Sequence, residues 1–379
     1  MAEQKVTEQQ AKSDIWPVIV AWGKGQQPSL DDHHKIATQA FEHQRQAKAW
    51  EFETVEAAAV AVQTRATLLQ NIAHTDDELP LPGSWCDWIE PLWRFWLPFA
   101  QQLNQQQRAQ NAPFIQGILG GQGTGKTTLA RMLCLILGHL GQRAASLSID
   151  DLYLTYAERL KRQQQDPRLI WRGPPGTHDT ALGVQILQQV KTSLPEHELS
   201  LPQFDKLLHH GQGDRTHPLI ISAPTILLFE GWFVGAQPIE TALFTDLSNP
   251  LPPPLITEQD RQFAADCNDR LRDYLPLWHQ LDSLIVLHPE NYQFSKQWRQ
   301  QAEQALKQKA SLQTGKSVTG GLSDLEIDAF VTYFWKALHP DLFIEPLTKA
   351  VTTHLVVQIA GDHSINEVYS PITGHPDPL

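Results

Sequence analysis

The chain has few cysteines, few methionines and no uninterrupted apolar run long enough to cross a membrane. Its 379 residues include 3 cysteines and 2 methionines, and no two cysteines form a CxxC pair. This argues against a disulfide framework and a cysteine-ligated metal site, and it is typical of a reducing compartment. The longest apolar stretch, residues 218–236, is interrupted by a proline and a glutamate, whereas a membrane-spanning helix needs about 20 apolar residues.

Basic residues are also in the minority. The 30 Lys and Arg residues face 42 Asp and Glu residues, so the formal net charge is −12. An acidic chain is a poor general binder of nucleic acid and of anionic membranes, so we expect neither as a partner. The first 14 residues contain no apolar segment typical of a signal peptide. We therefore expect a cytoplasmic protein, monomeric or a small homo-oligomer, that acts on a small molecule.

Residues 1–110 are predicted to form an N-terminal helical extension. Ser29 and Asp32 resemble a helix cap, and a long Ala/Gln/Glu-rich run follows. Farther on, large apolar side chains recur at spacings of three and four: Trp85, Trp88, Ile89, Leu92, Trp93, Trp96 and Phe99. They are predicted to share one helix face, which either packs on the rest of the protein or forms an aromatic docking surface.

Residues 111–379 alternate between short apolar runs and amphipathic segments. Alternation of this kind predicts an α/β domain with a mostly parallel sheet and helices on both faces. The predicted strands are residues 114–119, 144–149, 225–229, 283–288 and 354–359, and the predicted helices are residues 126–138, 179–194, 292–309 and 323–338. We expect an insertion near residues 238–282, a lid near residues 291–322 with a mobile loop at 311–321, and a turn-rich tail after Gly361.

The strongest motif lies between the first predicted strand and helix. It fits the pattern G-x-x-x-x-G-K-[ST] and, with the next residue, comprises Gly120, Gly121, Gln122, Gly123, Thr124, Gly125, Lys126, Thr127 and Thr128. Glycines let the backbone wrap around phosphates with its N–H groups pointing inward. Lys126 is expected to contact the β- and γ-phosphates of ATP, and the Thr127 hydroxyl to bind Mg²⁺. This predicts the P-loop NTPase fold with ATP and Mg²⁺ as ligands.

Acidic residues follow two other predicted strands. Asp150 and Asp151 come after the second strand, and Glu230 comes after the third. Because ligands of open α/β sheets bind at the carboxyl ends of the strands, these acids are expected beside the γ-phosphate. One of the two aspartates is the candidate base for an attacking hydroxyl, and Glu230 is a candidate for the Mg²⁺ site. The alternatives are a helix cap for the aspartates and a buried ion pair for Glu230.

These residues resemble the phosphoribulokinase, uridine kinase and pantothenate kinase group of P-loop kinases. Within that group the chain is most similar to the plant, fungal and cyanobacterial D-glycerate 3-kinase family. The resemblance covers roughly residues 111–345 and is carried by residues 148–155 (SIDDLYLT), 172–179 (RGPPGTHD), 202–215 (PQFDKLLHHGQGDR), 230–235 (EGWFVG), 298–303 and 321–324. It implies phosphorylation of a hydroxy acid, with Asp150 as the base and Glu230 as an acid of the Mg²⁺ site, and a role in photorespiration.

The acceptor is expected between the ends of the second and third strands, where acidic and basic residues are both concentrated. The candidate substrate-binding residues are Asp151, Tyr153, Arg172, His178, Asp205, Lys206 and Arg215. Arginine and lysine suit a carboxylate, and an aspartate suits hydroxyl groups; the alternatives are a plain Pro–Gly turn and surface salt bridges. Arg299 is a fourth catalytic candidate, since a mobile arginine could close on the transferred phosphoryl group; its alternative is a solvated helix face. The histidines of this region match no zinc-site spacing.

The motifs leave two other functions open. One is a P-loop kinase for another small acceptor, such as a nucleoside, pantothenate or a sugar phosphate. The other is an ATPase that uses hydrolysis to switch a partner through residues 29–110. The guanine signature NKxD is absent, which weakens the switch hypothesis.

Overall fold

The structure, a computed structural model, describes residues 15–74, 81, 83–314 and 323–371. Its N-terminal part is helical. The helices are α1 (15–23), α2 (Leu30–Glu42), α3 (Gln44–Ala49), α4 (Val55–Ala73), α5 (Ile89–Pro91) and α6 (Leu97–Gln110). The side chains of Ser29 and Thr54 accept backbone N–H groups at the starts of α2 and α4, so capping residues set these boundaries.

The large apolar residues at 85–99 pack in or against the protein core, with Trp85 and Trp88 partly buried, which favours packing over a docking surface. Trp93, Trp96 and Phe99 are at most 6% exposed and pack in one cluster with residues of the central sheet. The segment is not one regular helix, because a 3₁₀ turn precedes α5 and a π-helical turn, Leu92–Trp96, joins α5 to α6. Prolines 91 and 98 flank this turn, and proline has no N–H group for the regular helical hydrogen bond.

The remaining chain is a mixed α/β structure with a mostly parallel sheet, as predicted, and the described sheet has six strands where five were predicted. Its strands are β1 (Phe114–Gly120), β2 (Ala144–Ser148), β7 (Ile226–Gly231), β8 (Ser283–Pro289), β9 (Leu355–Ile359) and β10 (Ile365–Tyr369). Their order is β10-β9-β8-β1-β7-β2, and all neighbours are parallel except β9 and β10. The connecting helices are α7 (Lys126–His139), α8 (Tyr156–Gln165), α9 (Thr180–Thr192), α10 (Ala242–Thr245), α11 (Glu258–Arg270), α12 (Leu275–Trp278), α13 (Phe294–Thr314), α14 (Asp324–Ala337) and α15 (Pro340–Phe343).

Helices cover both faces of this sheet. On one face, α7 and the N-terminal helices form a buried cluster with alternate residues of β1, β7 and β8. On the other face, α9, α11, α12 and α14 pack against the intervening residues. Strands buried on both faces read as continuous apolar runs, which is why the sequence predicts them well. None of the described helices combines the length and the apolar character needed to cross a bilayer.

Two expectations about local structure are wrong. The chain after Gly361 is not only turns, because β10 pairs antiparallel with β9 at the edge of the sheet. The segment 202–215, for which the sequence predicts an irregular stretch, is also partly regular. It contains the short antiparallel strands β4 (Phe204–Asp205) and β5 (Asp214–Arg215), while β3 (Glu198–Leu201) pairs with β6 (Leu219–Ser222).

Two other segments bear on the predicted boundaries. The predicted insertion at 238–282 is occupied by α10, α11 and α12. The predicted lid near 291–322 contains α13, and most of its predicted mobile loop lies outside the described residues. The division at residue 110 stays a prediction.

The last strand is held by the N-terminal region. Helix α3 packs against β10, and the Arg45 guanidinium lies 4.5 Å from the centre of the Tyr369 ring. The same guanidinium lies 2.8 Å from a carboxylate oxygen of Glu367. Helix α3 thus lies along the outer strand of the sheet.

Candidate active site

The phosphate loop joins β1 to α7 and is shaped by glycine. Gly123 and Gly125 have φ angles of +81° and +85°, a region that favours glycine. A side chain at Gly123 would also come within 2.6 Å of Trp298 on α13. The Thr124 hydroxyl donates to the Gly121 carbonyl at 2.9 Å. The loop leads directly into the N-terminus of α7, whose unpaired N–H groups and dipole favour phosphate.

Lys126 closes over this loop. Its ammonium group donates to the Gly121 carbonyl at 3.0 Å. Burial lowers the pKa of Lys126, and the nearby carboxylates of Glu230 and Asp150 act in the opposite direction. A bound phosphate would add negative charge at this ammonium group and favour its protonated form.

The pair Thr127 and Glu230 is suited to Mg²⁺. The Thr127 hydroxyl donates to Glu230 Oε1 at 3.0 Å, and Glu230 is only 6% exposed. Register aligns Glu230 of β7 with Ile118 of β1 and Ser148 of β2, so it lies at the carboxyl edge of the sheet. Hydroxyl and carboxylate oxygens are the hard ligands that Mg²⁺ prefers, with substrate phosphates supplying others. In the described part of the chain, no three His, Cys, Asp or Glu side chains could hold a metal by themselves.

Asp150 and Asp151 lie in one 3₁₀ turn after β2, but their surroundings differ. Asp150 Oδ2 accepts a hydrogen bond from the Lys206 ammonium group at 2.6 Å. Burial alone would raise the pKa of Asp150, but the charge and hydrogen bond of Lys206, with a hydrogen bond from Tyr153, outweigh burial and lower it. Asp150 is therefore an ionised carboxylate at neutral pH.

Asp151 is hydrogen-bonded to the backbone. Its two carboxylate oxygens accept the N–H groups of Ser148 at 3.2 Å and Phe204 at 3.3 Å. Burial raises the pKa of Asp151 to about 6 despite these hydrogen bonds. The side chain thus fixes the turn and ties β4 to it, which is the capping alternative considered from the sequence.

The acceptor candidates surround this turn. Arg215 Nε donates to the Tyr153 carbonyl at 2.8 Å, and its Nη2 lies 3.0 Å from a carboxylate oxygen of Asp179. Arg172 Nη1 donates to the carbonyl groups of Gly211 at 2.7 Å and of Gln212 at 3.1 Å. Both arginines therefore hold backbone segments together.

Asp205 and Lys206 complete the group on the β4 hairpin. Asp205 Oδ1 accepts the N–H group of Leu207 at 2.8 Å, which fixes the turn after β4. The Lys206 side chain is 57% exposed and reaches Asp150. The structure thus brings together Asp150, Asp151, Tyr153, Lys206 and Arg215 around one turn.

His178 is buried next to this group. Its ring stacks on Tyr153 with the ring centres 4.5 Å apart, and burial lowers the pKa of His178 to about 3, although Asp150 acts to raise it. The Tyr274 hydroxyl accepts the N–H group of Gly176 at 3.0 Å and lies 2.7 Å from His178 Nδ1. When the tyrosine hydroxyl donates to Nδ1, the ring proton of the neutral imidazole lies on Nε2. That nitrogen is buried and has no hydrogen-bond partner among the described residues.

Arg299 is placed differently from the other candidates. It lies on α13, 3.9 Å from a carboxylate oxygen of Glu303, and its guanidinium lies 5.8 Å from the centre of the Phe330 ring on α14. Its neighbour Trp298 packs against Gly123 of the phosphate loop.

Sequence reasoning missed three residues of this region. Tyr274 orients His178 from 96 residues away, and no local motif marks it. Arg159 donates to the carbonyl groups of Gln212 and Gly213, both at 2.6 Å, but in the sequence it is one of several basic residues on a helix. In the sequence, Trp298 is marked only by the family resemblance of residues 298–303. In the structure it packs closely against Gly123 of the phosphate loop.

A glycine-rich loop after the central strand, with its lysine, threonine and acids at one sheet edge, is typical of a P-loop nucleotide-binding site. No protein-family model matches the chain. It is 32% identical over 244 residues to "Uncharacterized kinase mug58" of Schizosaccharomyces pombe, which covers 61% of this chain and 82% of that protein. It is 30% identical over 245 residues to "D-glycerate 3-kinase, chloroplastic" of Arabidopsis thaliana, covering 62% of this chain but spanning only about half, 49%, of that protein.

A solved structure gives the same result for the fold. D-glycerate 3-kinase from Cryptococcus neoformans matches with a TM-score of 0.61 at 27% identity, over 72% of this chain and 99% of that chain. The chain belongs to the family of P-loop kinases that contains these D-glycerate 3-kinase homologues. Membership makes it a phosphotransferase and implies the use of ATP.

Proposed function

We propose that the chain transfers the γ-phosphoryl group of ATP to D-glycerate, giving 3-phosphoglycerate and ADP. The names of the Arabidopsis and Cryptococcus relatives support this acceptor. The observation that carries the proposal is the ion pair of Asp150 and Lys206 near Lys126. The charges of Asp150, Lys206 and Glu230 all act on the pKa of Lys126. A base, a cation for an acidic acceptor and the lysine of the phosphate loop thus share one site.

The donor end of the reaction belongs to the phosphate loop. The backbone N–H groups of residues 120–128 would surround the β- and γ-phosphates, and Lys126 would neutralise their charge. Thr127 and Glu230 would hold Mg²⁺, which would supply further neutralisation of the phosphate charge. Because phosphoryl transfer has a loose transition state, positioning and charge stabilisation carry most of the catalysis.

Asp150 is proposed as the base. The 3-hydroxyl oxygen of the acceptor forms a bond to the γ-phosphorus while the bond to the bridging β–γ oxygen breaks. The hydroxyl proton passes to Asp150, and the leaving electron pair stays on ADP. Asp151 is a weaker candidate because both of its oxygens already accept backbone N–H groups.

Cationic residues are proposed to bind the glycerate carboxylate. Lys206 is paired with Asp150 here, and an incoming carboxylate would share or take over its ammonium group. A guanidinium has five N–H donors, so the bonds that Arg172 and Arg215 make to the backbone leave donors for the acceptor. Asp205 is proposed to accept a hydrogen bond from a hydroxyl group of the acceptor, and His178 Nε2–H to donate one to a hydroxyl oxygen. Arg299 would need to leave Glu303 to reach the phosphoryl group.

A coupled ADP-release assay tests the proposal. The acceptors would be D-glycerate, L-glycerate, glycerol, pantothenate and uridine, with Lys126→Ala as the inactive control. We expect D-glycerate to be preferred, glycerol to be poor because it lacks the carboxylate, and the product to be 3-phosphoglycerate and not 2-phosphoglycerate. Preference for pantothenate or uridine would assign another acceptor to the same chemistry. ADP release independent of any acceptor would favour the ATPase switch.

A further inference from the structure

The Asp150 carboxylate is held by two hydrogen-bond donors that differ in mobility. Lys206 Nζ donates to Asp150 Oδ2 at 2.6 Å, and the Tyr153 hydroxyl donates to the same carboxylate. The Tyr153 ring is 3% exposed, stacks on His178 and packs edge-on against Phe204 with the ring centres 5.0 Å apart. The Lys206 side chain, in contrast, is 57% exposed. One donor is therefore fixed in the core, and the other can move into solvent.

The backbone on both sides of Lys206 is fixed, although its side chain is not. Asp205 pairs with Asp214 between β4 and β5, and Asp205 Oδ1 accepts the N–H group of Leu207. Among the described residues, the Lys206 ammonium group forms an ion pair with Asp150 alone. An ion pair this exposed contributes little free energy, so a second carboxylate can replace Asp150 at small cost.

This ion pair hinders Asp150 as a base. The acceptor hydroxyl must donate its hydrogen to a carboxylate oxygen, which then gains the proton. The ammonium group occupies Oδ2 and lowers the pKa of Asp150, so it makes proton transfer to this carboxylate less favourable. A carboxylate that binds the ammonium group would remove both effects, while Tyr153 would keep Asp150 in place.

The two arginines near the turn do not have this relation to the base. Arg215 pairs with Asp179 at 3.0 Å, and Arg172 donates to backbone carbonyl groups. In the part of the chain that the structure describes, neither guanidinium is hydrogen-bonded to Asp150. Of these three cations, Lys206 is the one that connects the charge of an acceptor with the base.

We propose that Lys206 is a gate on the base: it holds Asp150 in the free enzyme and releases it when the carboxylate of an acceptor binds its ammonium group. The inference rests on the proposed function and adds the way in which an acidic acceptor is selected. The charge of the acceptor then controls turnover as well as affinity, because a neutral molecule, water included, meets an occupied base. In the transfer, the hydroxyl oxygen bonds to the γ-phosphorus, the bond to the bridging oxygen breaks and the proton passes to Asp150.

An acceptor supplied in two pieces tests the gate. Ethylene glycol provides the hydroxyl group, and formate provides the carboxylate that ethylene glycol lacks. The rate of formation of 2-hydroxyethyl phosphate would be measured by ³¹P NMR at saturating ATP, with sodium chloride at equal ionic strength as the control. Because the rate follows only part of the proton affinity of the base, we expect formate to raise it roughly three- to tenfold. Chloride should have no effect.

Variants of Lys206 separate the gate from simple binding. Without formate, Lys206→Met should phosphorylate ethylene glycol faster than the wild type, and formate should add nothing. Lys206→Arg keeps the charge and should keep the activation by formate. Lys24→Met, which removes an exposed lysine at the end of α1, is the matched control and should behave as the wild type.

The gate and the proposed acceptor can fail separately. The gate is overturned if formate has no effect on the wild type, as expected if the γ-phosphate alone draws Lys206 away. An equal effect in Lys206→Met, or slower transfer to ethylene glycol in that variant, would also overturn it. Phosphorylation of D-glycerate without a formate effect would keep the acceptor and reject the gate. A formate effect in an enzyme that does not phosphorylate D-glycerate would keep the gate and reject this acceptor.

Discussion

Replacing Lys206 with methionine removes the ammonium group that pairs with Asp150 at 2.6 Å, and we expect the pH profile of the enzyme to shift. Burial acts to raise the pKa of Asp150, and Lys206 is the main group that opposes it. Without Lys206 the pKa therefore rises, and the carboxylate becomes protonated at a higher pH. If Asp150 is the base, the acidic limb of kcat/KM must move to higher pH.

The size of the shift follows from the ion pair. A charge-assisted hydrogen bond contributes about 1.5–3 kcal/mol, and one pKa unit corresponds to about 1.4 kcal/mol. The Lys206 side chain is 57% exposed, so water screens the pair and the lower end applies. We therefore expect a shift of about 1 pH unit.

The assay is kcat/KM for the acceptor, measured by ADP release from about pH 3 to pH 9 so that the wild-type acidic limb is included, because this parameter reports the free enzyme. Lys206→Arg, which keeps the charge, is the matched control and should keep the wild-type limb. Asp150→Asn should lower kcat by roughly 10²–10⁴ at all pH values. If Lys206 served only to bind the acceptor, Lys206→Met would lower kcat/KM at every pH. The pH at which the acidic limb falls would then stay the same. A limb that coincides with that of the wild type would refute the reasoning.

Three further substitutions test other parts of the site. Lys126→Ala should abolish transfer with little change in Tm, because the side chain supplies charge and not packing; turnover near the wild-type rate would remove it from the reaction. Arg215→Ala should lower the free energy of unfolding in urea by about 1.5–3 kcal/mol through loss of the Asp179 contact, and raise the KM for D-glycerate roughly tenfold but not that for ATP. An unchanged KM would leave Arg215 a purely structural role. Tyr274→Phe should lower kcat without changing the KM for ATP, since the hydroxyl that sets the His178 tautomer is lost; equal kcat values would show that the tautomer does not matter.

The phosphate loop and the strand ends could be predicted because their signals are local. Residues 120–127 form a contiguous motif between an apolar strand and a helix, and Glu230 directly follows another apolar run. Parallel register then places Glu230 beside Ser148, as expected for carboxyl ends that share one edge.

The choice between the two aspartates could not be made from sequence. Asp150 and Asp151 differ in their hydrogen-bond partners: Lys206 contacts Asp150, and the Phe204 N–H group contacts Asp151. Both partners lie more than 50 residues away in the chain. The role of Tyr274 is hidden for the same reason. The edge strand β10 carries a weaker pattern than the buried strands, because Asn366 and Glu367 interrupt its apolar residues, and it was therefore mistaken for turns.

The helix α3 that lies along β10 has a consequence for association between molecules. An outer strand offers a row of unpaired N–H and C=O groups to any other strand, and natural proteins cover, charge or shorten such edges. Here the Arg45 side chain, resting on Tyr369 and paired with Glu367, holds a helix at that edge. Helix α3 therefore opposes strand pairing with a second copy at the β10 edge of the sheet, whose other outer strand is β2.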